Sequence, residues 1–139
     1  MFNLATSIGF AVTLALLPTL GRADAYPTQE LLSTEMTVMG EAIHYPTNGQ
    51  AKVTVSIVTI EPGADIKLHR HPVPLVAYVL EGELTVDYGA KGMKIYHKGD
   101  AFVEAMDVPH RGMNPGTSTV RLLAIYTGAE GAANVALEK

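Results

Sequence analysis

Cysteine is missing from all 139 residues, and that absence closes off several chemistries at once. Disulfides, thiolate metal sites, cysteine nucleophiles and lipid attachment through sulfur are all excluded. Charge is scarce. Asp, Glu, Lys and Arg together make 17% of the chain, the net charge is −4 and no basic run occurs. That leaves no electrostatic footprint for nucleic acid. No Gly-x-Ser-x-Gly elbow is present, and Ser7, Ser33, Ser56 and Ser118 lack motif context, so a hydrolase triad has no support. A phosphate-cradling glycine loop is absent too. What remains is a chain of one-domain length, 47% apolar, which suffices for a packed core and argues against disorder.

The first 25 residues differ from the rest. "IGFAVTLALLPTL" (Ile8 to Leu20) is an apolar block, and "ADA" (Ala23 to Ala25) has the small-x-small form of a signal-peptidase site. The expectation is a signal peptide over 1–25 and a single mature domain over 26–139, exported to the periplasm or secreted. The segment ahead of the block has no Lys or Arg, so an uncleaved anchor and a mis-assigned start are the alternatives. The block is short for a spanning helix, and Pro18 interrupts it. No membrane contact is expected beyond this segment.

From Tyr26 onward no long stretch carries a helical period. "PTQELLST" is read as one short helix, and the tail "AEGAANVALEK" as a weak helix or a frayed end. Between them lie short β runs. "AKVTVSIVTI" (Ala51 to Ile60) is rich in β-branched residues that suit a pleated surface. "TNGQ" before it holds Asn-Gly, the dipeptide that best tolerates positive φ at a tight hairpin. "LVAYVL", "ELTVDYG", "GMKIYH", "AFVEA", "HRGMN" and "TVRLLAIYTG" follow "IKLHRH", with glycines between them. This spacing indicates an all-β sandwich or barrel.

The chain has five histidines, and two of them are one residue apart. In a strand, residues i and i+2 share a face. His69 and His71 therefore point together, with Arg70 opposite. Two parallel imidazoles can grip one metal ion, and neutral imidazole suits Fe, Zn, Cu, Ni or Mn. His110 in "VPHRGMN" is the candidate third ligand. On the pair alone, a surface strand with two polar residues is the better account. His44 and His97 lack a partner at ligand spacing and read as surface residues. Asp100 and Asn114 read as turn residues, and Met106 and Met113 as core fillers.

These residues lie in two motifs that resemble those of the cupin superfamily, double-stranded β-helix proteins with a jelly-roll-like barrel. In the first motif Gly63, His69, His71 and Gly82 fall in register, and the usual Glu slot holds Leu75. In the second, Gly99, His110 and Asn114 fit, while Ala105 and Asp107 stand where Pro and Gly are usual. The likeness covers most of Met36 to Gly128, so the core of the domain is expected at about 36–128. The resemblance implies that His69, His71 and His110 are metal ligands without the carboxylate. Of the substitutes, Glu104 is the first to test, both as a further ligand and as a general base. Tyr78 is aimed at the opposite face, and Glu81 and Glu83 sit at a rim.

Three neutral imidazoles would leave a divalent ion its full charge and open coordination positions. Leu75 would make one pocket wall apolar, although plain core packing accounts for it equally. Three-histidine cupins include iron dioxygenases acting on diketones or thiols. The expectation is a dioxygenase-like oxidoreductase acting on a small oxygen-rich substrate. The alternatives are a non-catalytic metal- or metabolite-binding module, and a metal-free pocket in which the histidines act as acid–base groups. The expected partners are a small molecule and, as such proteins often pack sheet to sheet, a second copy in a homodimer.

Overall fold

A computed structural model describes residues 26–139. The proposed signal segment lies outside the described residues. Nine strands and one short 3-10 turn follow in chain order: β1 (Ala51–Ile60), β2 (His69–Arg70), β3 (Leu75–Glu81), β4 (Glu83–Asp87), the 3-10 turn Gly89–Lys91, β5 (Met93–His97), β6 (Ala101–Val103), β7 (Arg111–Met113), β8 (Val120–Ala129) and β9 (Ala136–Leu137). A four-stranded sheet runs β1-β8-β3-β6, a three-stranded sheet β5-β4-β7, and β2 pairs with β9. Every pairing is antiparallel. The all-β double-stranded β-helix expected from the sequence is the fold observed.

Alternation along the strands sets the core. On β3, Leu75, Ala77 and Val79 are buried while Val76 and Tyr78 are only half-buried. On β8, Val120, Leu122, Ala124 and Tyr126 are buried. Leu75 pairs with Tyr126 and Ala77 with Ala124, so these inward rows coincide. Leu84, Val86 and Tyr96 of the second sheet close over them. The β3–β4 turn needs its glycine twice over. Gly82 has φ +79°, and a Cβ there would lie 2.7 Å from the Thr119 carbonyl.

Three local expectations are corrected. Residues 27–34 form no helix. They present no apolar face to the barrel, with Leu31 and Leu32 both exposed, and an eight-residue helix without packing is marginal in water. The tail is neither helical nor frayed. Ala136–Leu137 pairs with His69–Arg70, where the short β2 offers an open edge. Asn48-Gly49 supplies positive φ at Gly49 (+88°), but no strand precedes it. The turn leads the chain into β1 rather than closing a hairpin.

Candidate metal centre

His69 ends the loop from the Gly63 turn and opens β2. Its backbone exchanges two hydrogen bonds with His110: His69 N–H to the His110 carbonyl at 3.0 Å, and His110 N–H to the His69 carbonyl at 2.9 Å. A hydrogen-bonded cross-strand pair puts both side chains on one face. His71 follows on that face by strand parity. The ring centroids of the three imidazoles lie 4.6–5.1 Å apart, and all three residues are buried. One ring nitrogen from each lies within 4.8 Å of the others.

The tautomers follow from the hydrogen bonds. Nδ1 of His69 meets the Lys67 carbonyl at 2.7 Å, Nδ1 of His71 the Asn134 carbonyl at 2.9 Å, and Nδ1 of His110 the Val108 carbonyl at 2.9 Å. A carbonyl only accepts, so each Nδ1 carries the proton and each Nε2 keeps its lone pair. Burial depresses all three pKa values, that of His71 to about 4. His110 Nε2 is fully buried with no hydrogen-bond partner. Leaving a buried polar atom unpaired costs free energy, and a divalent cation among three Nε2 lone pairs removes that cost. The donor set, its tautomers and this orphaned nitrogen fit a transition-metal ion.

Glu104 follows β6 and stands beside the trio rather than within it. Its Oε1 accepts hydrogen bonds from the Tyr88 hydroxyl and the Ala105 N–H, both at 2.7 Å. Its Oε2 lies 3.9 Å from His110 Nε2. Burial pushes its pKa up to about 7, against the two hydrogen bonds, which lower it. Tyr88 passes the chain on to the Tyr96 hydroxyl at 3.2 Å, and burial raises both phenols.

The three rings and Glu104 open into a cavity of ≈ 60 Å³. Leu75, Ala77, Phe102, Leu122 and Ala124 wall it with hydrocarbon, and Tyr126 adds an aromatic side chain. Leu75 therefore does line the pocket, where the motif's carboxylate would stand. Asn114 is buried outside the lining. Its amide donates to the Ile60 and Ser118 carbonyls, and its oxygen accepts the Gly116 N–H, the turn role expected for it. Glu83 and Asp100 flank His97 at the surface, and His44 is exposed.

The sequence reading missed Tyr88, Tyr126 and Asn134. Tyr126 enters through the register of β8 on β3, and Asn134 through the docking of β9. Neither leaves a local pattern. Tyr88 closes the β4 run, and its parity with Leu84 and Val86 was the one available signal.

A barrel built this way defines a β-helix protein whose three buried histidines are placed to bind a metal ion. The cupin domain model matches residues 56–126, and the chain belongs to the cupin family. No curated protein matches the sequence. Solved structures with similar folds include the polyketide cyclase RemF from Streptomyces resistomycificus. It is 19% identical, with 70% of this chain and 68% of that chain covered, at a TM-score of 0.55. A double-stranded β-helix protein from Klebsiella pneumoniae is 21% identical, with 70% and 90% covered and a TM-score of 0.54. The DMSP lyase DddQ from Ruegeria pomeroyi is 19% identical, with 61% of this chain and 42% of that chain covered and a TM-score of 0.53. The match therefore spans less than half of that lyase. These likenesses concern the fold.

Proposed function

We propose that the protein is an exported, metal-dependent oxidoreductase of dioxygenase-like type, acting on a small oxygen-rich substrate with dioxygen as co-substrate. His69, His71 and His110 would hold the divalent ion through Nε2. The observation that carries the reading is the convergence of three buried, neutral imidazoles with an unpaired His110 Nε2 in an apolar cavity. A bound cation supplies Lewis acidity and coordination positions that the protein leaves open.

The chain's own residues supply the rest. The Lys67, Asn134 and Val108 carbonyls hold the imidazoles in the one tautomer that can ligate. Leu75, Ala77 and Ala124 exclude water and lower the local dielectric, which strengthens charge interactions in the cavity. Glu104 is the proton acceptor. Its Oε2 lies 3.9 Å from His110 Nε2; burial raises its carboxyl in the metal-free protein, while a bound cation would favour the carboxylate, the form that accepts a proton. Tyr88 fixes the other oxygen and orients the carboxyl. A cavity of ≈ 60 Å³ has room for about two waters at their liquid volume. That size favours small substrates over flavonols.

The test is dioxygen consumption by protein loaded with Fe(II) under anaerobic conditions. Small 1,3-diketones should be turned over and flavonols should not. His71→Ala should lose both the metal and the turnover while keeping its circular dichroism spectrum. Metal binding at one equivalent without turnover of any small oxygen-rich compound would leave a binding module. No bound metal at all would sink the site.

A further inference from the structure

The second motif departs from its family at the turn before His110, where Ala105 and Asp107 replace Pro and Gly. Something else must hold that turn, and the structure shows what does. Glu41 reaches in from the N-terminal segment and accepts three consecutive backbone N–H groups. Its Oε2 takes Met106 N–H at 2.8 Å, and its Oε1 takes those of Asp107 and Val108, both at 2.9 Å. The Thr37 hydroxyl donates to Oε2 at 2.8 Å and orients the carboxylate. The segment itself is anchored by Val38 N–H on the Val103 carbonyl of β6, at 2.9 Å.

The far sides of two of these peptide groups hold Arg70 and His71. The Met106 carbonyl shares a peptide plane with Asp107 N–H, and it accepts the His71 N–H at 3.2 Å. The Asp107 carbonyl shares a plane with Val108 N–H, and it accepts Arg70 Nη1 at 2.6 Å. The Val108 carbonyl, which takes the Nδ1 proton of His110, belongs to the next peptide group, whose nitrogen is that of Pro109 and is not held by Glu41. A peptide plane is rigid. Fixing its N–H on one side fixes the direction of its carbonyl on the other. Burial by itself would raise the carboxyl of Glu41, but the Met106 N–H, the Thr37 hydroxyl and the other two N–H groups hold it below the usual range. The clamp is thus an anion at neutral pH, and hydrogen bonds to an ionised acceptor are the strong ones.

We propose that Glu41 is a positioning residue of the metal centre, acting through the peptide groups of Met106–Val108 to hold the backbone of Arg70 and His71 and so aim the His71 ring. The proposal rests on the reading of the trio as metal ligands. The substitutions Glu41→Ala and Glu41→Gln test it, with two measurements on each. Ni2+ is titrated into the protein by calorimetry, and amide hydrogen exchange is followed without metal. Glu41→Ala should bind Ni2+ about 10- to 100-fold more weakly, as lost outer-shell contacts do. Exchange at His71 and at Met106–Val108 should accelerate, while the amides of β8 stay protected. Glu41→Gln keeps one acceptor oxygen and should fall between the two. It also carries the test if the alanine variant does not fold. A lower melting temperature with Ni2+ affinity within twofold of wild type would mean a merely structural clamp and overturn the proposal. So would unchanged exchange at His71. If the wild type itself binds no Ni2+, the metal reading fails. Exchange at His71 then decides separately whether Glu41 positions that histidine.

Discussion

Glu104 and the three histidines pull the pH dependence of the metal-free protein in opposite directions. The histidines have folded-state pKa values below the ordinary 6.5, that of His71 near 4. Between those limits the unfolded chain holds protons that the native state does not, so stability falls as pH drops from about 6.5 toward 4. Glu104 does the reverse. Its folded pKa near 7 lies above the ordinary 4.5, so the native state holds the extra proton and stability falls as pH rises from 4.5 through 7. Glu104→Gln removes the second effect and offers His110 Nε2 a donor. We expect its melting temperature to exceed that of the wild type by roughly 4 °C at pH 8, with no gain below pH 4.5. Its metal affinity should be equal or lower. Thermal melts across pH check the first part, and a metal titration checks the second. Legibility at this scale was uneven. His69, His71 and His110 were readable because two lie at strand parity and the third sits at a motif position. Asn134 was not, since its contribution is a backbone carbonyl, which no residue type announces.

At the scale of elements, β9 turns the C-terminal tail into part of the site. Ala136–Leu137 pairs with His69–Arg70, Arg70 is ion-paired to Glu138, and the Asn134 carbonyl pins Nδ1 of His71. Ending the chain after Ala133 removes all three contacts at once. The barrel should remain, because neither core cluster includes a residue beyond Ala133. We expect metal affinity to fall about 10- to 100-fold, with the far-ultraviolet spectrum unchanged. An unaltered affinity would show that the tail does not set the tautomer of His71. The longer strands were legible here because β1 and β8 carry ten residues each of apolar and β-branched pattern. Of the two-residue strands, β2 lies within the "IKLHRH" run read as β, while β9 was not legible. Its conformation comes from a partner edge distant in sequence, and "AEGAANVALEK" has no strand propensity of its own.

At the scale of the whole molecule, no described residue covers the β1 side of the larger sheet's outer face. Val53, Val55 and Ile57 on β1 are 64%, 59% and 48% exposed. β1 is also an edge strand of ten residues, with no proline and one lysine to guard it. Residues of the N-terminal segment, Leu32, Ile43 and Tyr45, lie near Val76 and Val103 on the β3–β6 side of that sheet, while the β1 side stays open. A contiguous apolar row on an unguarded edge is a place for self-association. We expect the protein to sediment as a homodimer. Val55→Lys should yield a monomer whose metal site is intact, because Val55 points away from the cavity. A monomeric wild type at high micromolar concentration would refute this.

The sequence by itself determined the architecture and the donor types. Strand-period apolar runs between positive-φ glycines specify an antiparallel barrel, and parity along a strand puts His69 and His71 on one face. Only the tertiary structure decided what those imidazoles can do. Their tautomers depend on the Lys67, Asn134 and Val108 carbonyls, their burial on two sheets closing over them, and the aim of His71 on a carboxylate at position 41. Side-chain type is written locally. Hydrogen-bond partners and dielectric belong to whichever distant segments the fold brings alongside.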